Sequence, residues 1–124
     1  MGADGSGNTG LVKLLKRWVV EDCGRVINPQ LADEQVRGGC VQGLAGALYE
    51  HCIYDRAGQL VNGTMADYLV PMAAEIPTST WCTLRRRPSA SLLGAKGVWE
   101  SGTGAAPAVV MNAINDGCGP SGRV

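Results

Sequence analysis

Apolar and polar positions alternate unevenly over Leu11–Glu21 (LVKLLKRWVVE), where Leu, Val and Trp are interrupted by basic residues. Val and Trp fit a pleated, half-buried surface, so this stretch reads as a strand although Leu and Lys also suit a helix. Asp22-Cys23-Gly24-Arg25 supplies a turn, and Val26-Ile27 a short apolar step. Asn28-Pro29 then has the chemistry of a helix start, with Asn as cap and Pro at the first helical position. Beyond it Val36, Cys40, Leu44 and Leu48 recur at helical spacing, and Val41, Ala45 and Tyr49 widen the stripe. The pattern predicts one helix from about Asn28 to Glu50.

Gly38, Gly39, Gly43 and Gly46 lie inside that helix. Each costs about 1 kcal/mol against alanine, so an isolated helix would lose roughly 4 kcal/mol. The loss predicts packing that only a missing side chain permits, a helix touched closely along its backbone. Gln42 on the same helix reads as a polar core contact rather than a ligand.

Farther on, residues 51–55 and 59–61 read as a hairpin around Arg56-Ala57-Gly58. Thr64–Met72 has room for one helical turn before Pro71, and Thr80–Arg86 alternates as a strand. Arg85-Arg86-Arg87 at its end reads as a solvated strand end. A glycine-punctuated loop, Leu93–Gly104 (LLGAKGVWESGTG from Leu92), feeds a last helix from about Ala105 to Asn115, with Pro107 in its first turn and Gly117 past its end. The expected architecture is α+β: two helices packed on a small, mostly antiparallel sheet. Residues 1–10 read as a flexible N-terminal segment, 11–117 as the folded body and 118–124 as a tail.

Composition narrows the function. The 11 basic and 11 acidic side chains cancel, leaving no electrostatic footprint for nucleic acid or an anionic membrane. No run approaches the roughly 18 apolar residues of a membrane span, and residues 1–10 lack the apolar core of a secretory signal. A soluble, cytoplasmic protein is expected. The 5 cysteines form no Cys-x-x-Cys pair and His51 has no second ligand at zinc spacing, so free thiols in a reducing compartment are the plainer reading. Asn62-Gly63-Thr64 matches a glycosylation sequon, but reads as a hairpin turn. The 18 glycines are about twice the usual share of ~7%, and Phe is absent. A chain so poor in bulk belongs in a larger body.

Chemistry concentrates between Gly94 and Gly104. Four glycines, Lys96 and Glu100 precede a helix N-terminus, a place that attracts anions and lets a ligand approach the backbone. The spacing is not that of a Walker loop. The bland alternative is a surface loop in which Lys96 and Glu100 pair with each other.

Five groups of residues occur in one order: Asp22-Cys23-Gly24-Arg25-Val26-Ile27-Asn28-Pro29; Gly38-Gly39 with Val41-Gln42-Gly43 and Ala47-Leu48-Tyr49-Glu50; Asp67-Tyr68 with Pro71; Leu93-Gly94-Ala95-Lys96-Gly97-Val98 with Glu100; and Gly102-Thr103-Gly104 through Val110. Together they resemble the C-terminal stretch of the molybdopterin-binding large subunit of the xanthine dehydrogenase, aldehyde oxidase and carbon monoxide dehydrogenase family. The resemblance implies a fragment of a larger molybdenum-cofactor-binding domain, serving oxidation of an aldehyde, a heterocycle or carbon monoxide. It implies molybdopterin, in bacteria often the cytosine dinucleotide, with Glu100 matching the general base. Lys96, Gly97 and Val98 would line the cofactor, while Asp22, Cys23, Gly24 and Asn28 would lie near its dinucleotide end. The implied partners are the remainder of the large subunit and iron–sulfur and flavin subunits, with neither nucleic acid nor membrane. The isolated chain is expected to hold no cofactor and to be inactive. A gene remnant, a truncated frame, a split subunit or a non-catalytic interaction module stay open. Trp99 departs from the pattern: the family usually has glycine there, so an indole is expected to crowd the cofactor or re-aim Glu100.

Overall fold

The structure, a computed structural model, describes residues 2–5, 11–86, 88 and 90–118. Strand β1 (Gly2–Gly5) is followed by β2 (Val12–Asp22), helix α1 (Pro29–Leu48), a single 3-10 turn (Ala73–Glu75), β3 (Ser79–Leu84) and helix α2 (Ala106–Cys118). Of the expected flexible segment and tail, Met1, residues 6–10 and residues 119–124 lie outside the described residues, as does Arg87 of the basic triplet.

The sheet corrects the expected strand direction. β2 and β3 run parallel, with Arg17 opposite Ser79 through to Asp22 opposite Leu84. Only β1 adds an antiparallel edge, giving the order β1-β2-β3. Parallel neighbours require a long crossover, and the segment carrying α1 supplies one. The two helices and small sheet keep the α+β class.

Strand β2 explains its own uneven pattern. Leu14 and Lys16 pair with the consecutive residues Ala3 and Gly2, leaving Leu15 as an extra residue. Such a bulge flips the side-chain phase. Val12 and Leu14 are half-buried before it, whereas Arg17, Val19 and Glu21 face inward after it. Arg17 is only 4% exposed, and its Nε donates to Ser79 Oγ. Burial lowers the pKa of its guanidinium. The outward set, Trp18 and Val20, lies exposed beside Leu84.

Helix α1 starts as its sequence dictates. Asn28 Oδ1 accepts from the Leu31 N–H at 3.2 Å, with Pro29 next in line. The predicted stripe is the core: Val36 and Leu44 are fully buried with Val110 of α2, and Ala32, Cys40 and Ala45 surround them. Full burial of such a side chain contributes about 1.5–3 kcal/mol. Gln42, expected as a core contact, is exposed. Helix α2 runs on to Cys118, so Gly117 lies within it and not after it.

The glycines of α1 divide into two pairs. A Cβ on Gly43 would meet Ala106 Cβ at 2.7 Å and Thr103 O at 2.9 Å; one on Gly39 would meet Thr103 Oγ1 at 3.1 Å. Gly38 and Gly46 face open space, so the expectation of close contact fails for them.

The hairpin is minimal, a single Tyr54–Leu60 bridge flanked by Val61 N–H to Ile53 O at 2.9 Å. Asn62 is not its turn. Its buried side chain accepts from Ile53 N–H at 2.8 Å and donates to His51 O at 2.5 Å, closing the open end of the hairpin. The one helical turn forms at Thr64, whose carbonyl accepts from Tyr68 N–H at 2.8 Å. All five cysteines are free thiols.

Candidate functional site

The turn after β2 and the glycine-punctuated loop, far apart in sequence, are joined. Asp22 Oδ1 accepts from Gly24 N–H at 3.1 Å, the local Asx turn that an Asp-x-Gly sequence favours. Gly24 takes φ +59°, and a Cβ there would lie 2.5 Å from Gly94 O. The chain can therefore lay its backbone against the loop: Arg25 N–H donates to Gly94 O at 2.7 Å and Lys96 N–H to Cys23 O at 3.1 Å.

A side-chain pair closes the same junction. Lys96 Nζ donates to Asp22 Oδ2 at 2.6 Å. This takes the place of the Lys96–Glu100 pair of the plainer, surface-loop alternative. The bond to Lys96, helped by the Gly24 N–H, holds the Asp22 carboxyl below the usual carboxylate range. Burial pushes the Cys23 thiol up, so it is a structural thiol rather than an activated one.

Beside this junction lies a cavity of about 540 Å³. Its walls come from the turn, the first turn of α1 and residues 95–99; among them are Arg25, Ile27, Asn28, Gln35, Val98 and Trp99. Of the residues singled out from sequence, Cys23, Asn28, Lys96 and Val98 reach the wall. Asp22 and Gly24 shape the junction behind it. Gly97 is exposed, with open space where a Cβ would be.

Glu100 stands apart from the cavity wall. Its side chain is exposed, and its backbone carbonyl accepts from Thr103 and Gly104 N–H at 3.1 and 3.2 Å. The burial that would prepare it as a base is therefore not supplied by the described residues. Trp99 is 83% exposed. Gln35 Nε2 donates to Trp99 O at 2.9 Å, a bond across 64 positions that no sequence signal announces. Arg25, Ile27 and Leu31 on the wall were likewise missed, although the Asn28 cap already placed their segment at a helix start.

The cavity suits a ligand with an uncharged flat body and an anionic end. Most of its lining is apolar. Arg25 and Lys96 outnumber the one carboxylate of the lining, Glu34, and the first turn of α1 brings the positive end of a helix dipole to the wall.

The molybdopterin cofactor-binding domain family matches residues 6–77, which include the turn and all of α1 but not the loop. The chain is 41% identical over 116 residues to the nicotine 6-hydroxylase large subunit of Paenarthrobacter nicotinovorans, covering 94% of this chain and 14% of that protein. It is 34% identical over 110 residues to the carbon monoxide dehydrogenase large chain of Afipia carboxidovorans, covering 88% and 14%. The structure superposes on quinoline 2-oxidoreductase from Pseudomonas putida 86 with a TM-score of 0.87 at 37% identity, covering 92% of this chain and 14% of that one. The chain thus spans about a seventh of the length of these relatives.

Proposed function

The chain belongs to the molybdopterin cofactor-binding domain family, and from that premise we propose that it supplies one wall of a molybdenum hydroxylase site. Its relatives are large subunits of molybdenum hydroxylases. The observation that carries the reading is the junction of the Asp22–Arg25 turn with Gly94–Lys96, because it builds the 540 Å³ cavity from two segments of the family pattern.

In this reading the cavity takes the dinucleotide end of the cofactor, in its cytosine form. Asn28, Cys23, Lys96 and Val98 line it; Asp22 orients Lys96; Gly24 clears the backbone approach; Gly97 carries the loop onward. Arg25 offsets phosphate charge. When bound, the cofactor supplies the redox chemistry for oxidising an aldehyde, a heterocycle or carbon monoxide. Glu100 acts as the general base. Electrons leave through iron–sulfur and flavin subunits. The location is cytoplasmic; among the described residues no helix is long and apolar enough to cross a membrane.

A second reading has its own observation. The outward face of the sheet is apolar and bare at Trp18, Val20 and Leu84, as in a non-catalytic interaction module that associates with another chain. A chimera separates the two. Residues 11–117 replace the matching stretch of the nicotine 6-hydroxylase large subunit, and molybdenum content and turnover are measured with its other subunits present. The catalytic reading expects a loaded, active chimera in which Glu100→Gln keeps molybdenum but loses most turnover, since the amide cannot accept a proton. Unchanged turnover in the Gln variant removes Glu100 as the base. A chimera without molybdenum favours the interaction module.

A further inference from the structure

The structure has one indole whose exposure is out of keeping with its setting. A Trp ordinarily buries most of its large surface. Trp99 leaves 83% of its own exposed, yet it lies on the wall of the cavity beside the Asp22–Arg25 turn. Its backbone is held by Gln35 Nε2 at 2.9 Å, and the loop is anchored on both sides, at Lys96 by the Cys23 carbonyl and at Thr103 by the Gly39 carbonyl. Trp18 is different: it lies on the outward face of the sheet with Lys16 Nζ 5.1 Å from its ring centre. Trp81 is half-buried in β3.

We propose that the Trp99 indole is a stacking platform for a planar, electron-poor heteroaromatic ring bound in the cavity between the first turn of α1 and residues 95–99. The indole is electron-rich and presents a flat face, and ring stacking on such a face tolerates many ring types. The same lining includes Ile27 and Leu31, which offer the ring apolar contact without competing for its polar edge. Gln35 and Asn28 are within the same lining to meet ring nitrogens or exocyclic groups. The assignment rests on the proposed reading of the cavity as part of a molybdopterin site. The ring has two possible sources, a substrate or the nucleobase of the cofactor, and both have the required chemistry.

The test uses the whole 124-residue chain and three probes. Nuclear magnetic resonance follows the indole N–H signals, and the signal missing from Trp99→Leu identifies Trp99. Quinoline represents a ring alone, cytidine monophosphate a ring with an anion, and decahydroquinoline a saturated body of similar size. A saturable shift of the Trp99 signal with quinoline or cytidine monophosphate, absent with decahydroquinoline, is the expected result. Trp99→Leu then weakens the binding at least about fivefold, and Trp99→Tyr retains most of it. A response to quinoline alone assigns the platform to substrate; a response to cytidine monophosphate alone assigns it to the cofactor base. Equal shifts with decahydroquinoline, or no shift with either ring, overturn the proposal. The chimera keeps the two readings apart: an active chimera with no ring binding removes only the platform, whereas ring binding with an inactive, metal-free chimera removes only the catalytic reading.

Discussion

The candidate loop is held at its two ends by different physics. At the far end Gly102 presses into α1, where a Cβ would lie 2.6 Å from Cys40 N, and Thr103 Oγ1 donates to Gly39 O at 3.0 Å. That anchor is packing, backbone against backbone, around the buried residues Val36 and Cys40. At the near end the anchor is polar: two backbone bonds at Arg25 and Lys96, and the exposed Asp22–Lys96 pair. Between them Gly97, Trp99 and Glu100 are exposed. Packing of this kind is indifferent to salt and pH, whereas a surface ion pair is weak and tunable. The loop therefore carries its chemical residues between one rigid and one adjustable support.

The comparison breaks first at Gly43. Leucine there must displace Ala106 Cβ, 2.7 Å away, and Thr103 O, 2.9 Å away. Overpacking of this sort costs about 1–3 kcal/mol and sometimes more, and contact with backbone puts Gly43→Leu at the upper end. Gly38→Leu is the control on the same helix, since nothing lies within 4 Å of its Cβ position. Thermal melting should place Gly43→Leu well below the parent and Gly38→Leu at or above it, because leucine is the better helix former. A Gly43→Leu protein melting as high as the parent would show that α1 and α2 can separate freely.

The near anchor responds less. Gly24→Ala meets the left-handed backbone penalty of about 1–2 kcal/mol. Its Cβ also lies 2.5 Å from Gly94 O, which must move. Amide hydrogen exchange should quicken at Arg25 and Lys96 while Val110 in the core keeps its protection. Equal quickening at Val110 would mean that the two anchors are one cooperative unit, and the distinction between them would be lost.

What could be read from sequence follows from how far each signal reaches. The α1 stripe and the Asn28 cap are local, fixed by helical repeat and by one side chain bonding three residues on, and both are present. Strand direction is not local: periodicity tells which face is buried but not which way the neighbour runs. A helix between two strands was the available cue for the parallel pair. Leu15 hid the phase of β2, since a bulge makes a strand look irregular. Lys96 finds Asp22 at a separation of 74 positions, which composition and spacing cannot show. The grouping of Asp22–Asn28 with Lys96–Val98 was legible only through family resemblance, whereas the exposed state of Glu100 agrees with the plainer reading of a surface loop.

The smallest effect, and the sharpest test of the polar anchor, is its dependence on pH. Asp22→Asn keeps an acceptor for the Gly24 and Arg86 N–H groups but removes the charge that Lys96 meets at 2.6 Å. The bond to Lys96 is the main cause that lowers the Asp22 pKa in the folded chain. A depressed carboxyl pKa contributes stability above the unfolded value of about 3.9, lost as pH falls through the lower folded value. The parent should therefore melt slightly higher than Asp22→Asn near neutral pH, and the two curves should converge below about pH 4. Molar salt should narrow the neutral gap, because the Debye length then falls to about 3 Å, close to the separation of this exposed pair. Melting curves from neutral to acid at low and high salt provide the measurement. A gap that persists unchanged into acid would mean that Asp22 acts through its hydrogen-bond geometry alone, and the near anchor would then be as insensitive to conditions as the glycine seam at the other end.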